Sequence, residues 1–159
     1  MSSRYDYVAR ILNELGDEMG MSSLRFDTTD RISLYFDDIH LTLAYGAEPV
    51  ELLWIYVDLG NDIGDDPNLL QRVLQLGFET WTRSVMTIGL DDKKDQLIGY
   101  TSIPVTILDL NVLQETLSLV LQSARVVRVI TSSKQLEVSC DSTQDDSSER
   151  RANENWSVV

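Results

Sequence analysis

The chain has 159 residues, 43% of them hydrophobic and 25% charged, which suits one domain with a real core and is short for two. Thirteen Lys and Arg stand against 26 Asp and Glu, a formal net charge of −13 that repels phosphate backbones and anionic lipid, so nucleic acid and membrane are poor partners. A single cysteine, Cys140, rules out an intrachain disulfide framework and suits a reducing compartment.

The opening stretch MSSRYDYVARILNELGDEMG lacks the apolar run of a signal peptide, and no segment has the length of a membrane span. A cytoplasmic protein is therefore expected. In Ser3–Gly20, Tyr5, Val8, Leu12, Leu15 and Met19 recur at helical spacing, with Gly20 as the stop. The period then changes to two. Ile32, Leu34 and Phe36, then Ile39, Leu41, Leu43 and Tyr45, alternate with polar residues around Asp37-Asp38, which predicts a hairpin with one buried face. The run from Leu52 to Leu59 is apolar on both parities until Asp58, as in a strand covered on both sides.

After a Gly/Asp-rich loop, Asp66-Pro67 caps a helix over Asn68–Ser84. Its apolar residues sweep roughly 200° of the surface, wider than one core requires. A second copy of the chain is the simplest cover for the excess, with Leu70, Leu74, Phe78 and Trp81 as the interface. Met86-Ile88-Leu90 and Leu97-Ile98-Tyr100 form a second hairpin about a charged turn, ending at Pro104. Leu110, Leu113, Leu117, Val120, Leu121 and Ala124 mark a last helix capped by Asp109 or Asn111. From Thr131 to Val159 the composition turns polar, so residues 1–130 are read as the domain and 131–159 as a disordered tail. The expected fold is α+β: helix, three strands, helix, two strands, helix, with an antiparallel sheet.

No constellation for catalysis emerges. His40, the lone histidine, falls on a strand opposite in parity to Ile39 and Leu41, and no Ser or Cys motif accompanies it. Counted as a calcium loop from Asp58, the acidic linker has Gly60 at position 3 and Leu69 at position 12, where oxygen ligands belong. The glycines form no phosphate-binding fingerprint. No enzyme, metal or cofactor is expected.

With that element order, TIGLDDKKDQLIGYTSIP resembles the second hairpin of the class I type III secretion chaperones, the Tir-chaperone-like family. Ile88-Gly89-Leu90-Asp91 matches the first strand and its turn, and Leu97 to Ile103 the return; the resemblance runs from about Ser3 to Ile130. It implies a non-enzymatic homodimer that holds the N-terminal region of secreted effectors in extended form and delivers it to the secretion apparatus, with the secretion ATPase as a candidate partner. A regulatory or adaptor dimer of similar, YbjN-like α+β fold with no export client is the alternative. For the client surface, Ile32, Leu34 and Phe36 are assigned to the core. If Leu53, Ile55 and Val57 also face inward, then Leu52, Trp54 and Tyr56 look outward beside Tyr35, and these four are the client-binding candidates; the opposite parity would bury Trp54 and Tyr56.

Overall fold

A computed structural model of the chain describes residues 3–21, 24–61, 68, 71–75, 77, 86–91 and 96–141. Its elements are α1 (Ser3–Glu18), β1 (Arg31–Phe36), β2 (Ile39–Gly46), β3 (Leu52–Asn61), α2 (helical at 68, 71–75 and 77), β4 (Thr87–Asp91), β5 (Gln96–Pro104), a 3₁₀ turn (Val105–Ile107) and α3 (Leu110–Asp141). The α+β order is the one expected from sequence.

The amphipathic stripe of α1 buries Val8, Ile11, Leu12 and Leu15. Its end follows from Gly20, at φ 66°. There the Met21 N–H reaches the Gly16 carbonyl at 2.9 Å and the Gly20 N–H the Asp17 carbonyl at 3.2 Å, the paired bonds of a left-handed helix stop. Asp27 organises the turn into β1. Its Oδ1 accepts from Thr29 N and Thr29 Oγ1 at 2.7 Å and from Arg31 N at 3.0 Å, and these bonds hold its carboxyl below the ordinary range.

Five strands form one antiparallel sheet in the order β1-β2-β3-β5-β4, so β5 inserts between β3 and its own hairpin partner. Ile32 and Leu34 of β1, Ile39, Leu41 and Leu43 of β2, and Leu53, Ile55, Val57 and Leu59 of β3 point to one side and are buried. On that side α3 lies over β3 and β5 and packs against α1. Leu113, Leu117, Val120, Ala124 and Val127 supply its buried stripe. Asp109 is its N-cap, with Oδ1 accepting from Val112 N at 2.8 Å. Tyr7 Oη donates to the Leu108 carbonyl at 2.7 Å and ties α1 to the lead-in of α3.

α3 runs further than the composition suggested. Helix continues through Asp141, so the domain edge expected at residue 131 falls inside it, and residues 142–159 lie outside the described residues. The physical reason is visible in the sequence: no glycine or proline follows Pro104, and the run Lys134, Gln135, Leu136 and Glu137 consists of good helix formers that outweigh the flanking Ser132, Ser133 and Ser139.

Candidate functional site

The register of the sheet settles which residues of β3 look outward. Leu53, Ile55, Val57 and Leu59 are the buried set, so Leu52, Trp54, Tyr56 and Asp58 stand on the face turned away from α1 and α3. Across that face Ser33 of β1 opposes Thr42 of β2, Thr42 opposes Tyr56, Tyr56 opposes Tyr100 of β5, and Tyr100 opposes Thr87 of β4. One row therefore crosses all five strands with two tyrosines at its centre. The adjacent row runs Arg31, Ala44, Trp54, Ser102.

Aromatic groups dominate the surface. Trp54 and Tyr56 stack along β3 with ring centroids 6.1 Å apart and planes 20° from parallel. At the β1–β2 turn Tyr35, 73% exposed, stacks on His40 at 4.7 Å. Between these two pairs, β2 offers only Thr42, Ala44 and Gly46 on the outer face, and the Trp54 indole lies over Gly46, where a Cβ would come within 3.1 Å of its Nε1. Tyr56 and Tyr100 each keep more than a third of their surface in water. Packing within the sheet does not require aromatic surface to be left this wet.

Among the described residues no group of His, Cys, Asp and Glu is placed to hold a metal ion, and no helix is long and apolar enough to cross a membrane. His40 is engaged by its stack with Tyr35, on the outward side expected of it.

Residues 10–128 match the Tir chaperone protein (CesT) family. The chain belongs to that family. No curated protein matches the chain. Solved structures are similar to this CesT-family chain over most of its length. One is described as the ExsC-ExsE complex: 24% identical, TM-score 0.71, covering 80% of this chain and 95% of the other. Another is described as the HopA1-SchA chaperone-effector complex: 22% identical, TM-score 0.70, with 80% and 98% covered. A third is the Yersinia pestis type III secretion chaperone SycH with a fragment of YscM2: 15% identical, TM-score 0.57, with 75% and 98% covered. These likenesses establish the shared fold.

Of the sequence-predicted client residues, the CesT-family sheet brings Leu52, Trp54 and Tyr56 together on β3 and places Tyr35 two strands away near the turn. Tyr100 was not among them. Its apolar character was plain in the sequence, yet only the β3–β5 pairing puts it opposite Tyr56. Of the expected interface residues, Leu74 on α2 is 62% exposed while its neighbour Val73 is buried. Leu70, Phe78 and Trp81 lie outside the described residues.

Proposed function

We propose that this protein is a type III secretion chaperone that binds the N-terminal region of secreted effectors in extended form, keeps it export-competent and hands it to the secretion apparatus. Membership of the Tir chaperone family supports the class of function. The observation that carries the site is the outer-face row Thr42–Tyr56–Tyr100 with Trp54 beside it, aromatic and open on a sheet whose other side already holds the core. An extended segment lays alternate side chains against such a surface without needing to fold. The excess of carboxylates favours basic segments of a client. Binding, not catalysis, is the whole activity in this reading, and it is exercised in the bacterial cytoplasm.

The same reading makes the protein a homodimer through α2, supported by the exposed Leu74 next to the buried Val73. The secretion ATPase is its delivery partner by family resemblance.

The test begins with proteins that co-purify from the native host. The N-terminal segment of an effector so identified is titrated against wild type and against Trp54→Ser/Tyr56→Ser, with the mass of each variant measured alongside. An intact dimer that has lost capture supports the site. Unchanged capture by an intact dimer removes it, and a collapsed or monomeric product returns both residues to a structural role.

A further inference from the structure

Among the described residues the ring of Tyr56 stacks with Trp54, 6.1 Å away along β3, and not with Tyr100, its opposed partner on β5. Tyr100 turns the other way. A Cβ at Gly89 on β4 would lie 3.5 Å from its Cε1, so the ring reaches out over that glycine. The two tyrosine rings therefore diverge, and a slot opens between them along the line where β3 meets β5.

One end of this slot is charged. Asp58 follows Tyr56 by two residues on the outer face of β3 and stands opposite Ile98 of β5. Its Oδ1 accepts from Gly60 N at 2.9 Å, across a bulge in β3 that Gly60 accommodates at φ 128°. That bond fixes the carboxylate at the end of the slot and leaves Oδ2 with acceptor capacity. None of the ion pairs among the described residues includes Asp58. Over β3, β5 and β4 the described outer face carries no Lys or Arg, and Asp91 adds a second carboxylate to it.

These groups suit one kind of side chain. Guanidinium is a flat cation that stacks on an aromatic face, forks its donors to a carboxylate and sheds hydration more readily than an ammonium. Its methylene stem has the aliphatic Ile98 to lie against. An apolar side chain in the same place would strip water from Asp58 and return nothing for it. An acidic one is repelled by Asp58 and by the net charge of −13.

We propose that the slot is an arginine subsite: Tyr56 and Tyr100 flank the guanidinium of a client arginine, Asp58 accepts from it, and the pair sets the register of the extended segment on the outer face. This rests on the reading of that face as the client surface and adds what the surface selects. Side chains two apart on an extended segment are separated by roughly 7 Å, close to the 6.1 Å between the Trp54 and Tyr56 rings. The selected client thus carries an apolar residue two positions from its arginine, seated on Trp54.

The test uses the full chain with a blocked synthetic peptide, Ser-Val-Ser-Arg-Ser-Val-Ser, and a twin carrying uncharged citrulline in place of arginine. Amide spectra follow each titration. Wild type is expected to bind the arginine peptide about tenfold more tightly than the twin, with shifts centred on Tyr56, Asp58, Ile98 and Tyr100. Asp58→Asn keeps the oxygen that holds Gly60 N–H and removes the charge, so the bulge survives and the preference should fall to about twofold or less. Tyr100→Ser should weaken the arginine peptide about fivefold and the twin less. Equal binding of both peptides by wild type overturns the subsite, and so does a preference that Asp58→Asn retains in full. Outer-face shifts that ignore the arginine discard the subsite alone and leave the client surface standing. Absence of outer-face shifts with either peptide also overturns the subsite. Whether the surface itself stands is then read from effector capture by Trp54→Ser/Tyr56→Ser, which does not depend on the arginine.

Discussion

Tyr56 of β3 stands directly opposite Tyr100 of β5, two residues far apart in the chain that share the middle of the outer sheet face. Both are partly wet, so removing either costs the fold little, within about 1 kcal/mol for a cross-strand pair. Central aromatics of a binding surface behave differently. Tyr100→Ser is expected to weaken capture of an effector segment by at least about tenfold while the unfolding midpoint barely moves. On the proposed client surface the two rings would touch the same ligand, so Tyr56→Ser/Tyr100→Ser should lose less than the sum of the single changes. Equal capture by Tyr100→Ser and wild type would confine the site to β3.

Gly99 lies on the buried side of β5, opposite Val57 and Ile88. A Cβ there would come within 2.3 Å of Met86 Sδ and 2.7 Å of Val57 Cγ1. The thioether can swing aside; the valine on its central strand has nowhere to go. Gly99→Ala should therefore destabilise by about 1–3 kcal/mol in chemical denaturation, and shortening Val57 to alanine in the same chain should recover part of that loss.

Leu74 on α2 is the described residue that tests dimerisation most directly. Its side chain is exposed, so Leu74→Glu leaves the monomer's core intact; at a dry interface the charge would cost several kcal/mol. Light scattering at micromolar concentration is expected to show a dimer for wild type and a monomer for the variant, with circular dichroism unchanged. A dimeric variant would move the interface off this part of α2.

Asp27 links the turn before β1 to pH. Its carboxylate accepts from Thr29 and Arg31 and so titrates below its ordinary value. For a group lowered in the folded state, the stabilisation is complete above the unfolded value and is lost as pH falls through the folded one. Asp27→Asn keeps an oxygen acceptor and removes the charge. Wild type should exceed it in stability by a constant margin near neutrality, and the margin should shrink once the pH drops below the ordinary carboxylate range. A margin that stays flat to low pH would show that the charge adds nothing.

Local patterning made much of this legible. The stripe Val8–Leu12–Leu15 and the alternation Ile39–Leu41–Leu43 each answer to a single element, whose period follows from backbone geometry. β3 was different, because apolar residues on both parities give no hint of which set is inside. The register decided it, and with it the outward place of Trp54 and Tyr56. Tyr100 joined them only through pairing between strands separated by α2, a relation that no window of sequence contains. The length of α3 was missed for another reason. Serine-rich composition suggests loop, yet helix needs only the absence of breakers and enough good formers to propagate.

The manner in which α3 is held gives it two kinds of backbone protection. Its buried stripe, Leu113 to Val127, is anchored in the core shared with the sheet, whereas the contacts of Arg125 and Arg128 with the β1–β2 turn are exposed and weakened by salt. Amide hydrogens from Leu117 to Val127 should thus exchange with solvent only when the whole domain unfolds. Beyond Thr131 they should exchange faster, through fraying from the far end of the helix. The boundary between the two regimes should sit near Arg128 and move toward Val127 as salt is added, so that the helix is at once a pillar of the domain and an arm with its own independent opening.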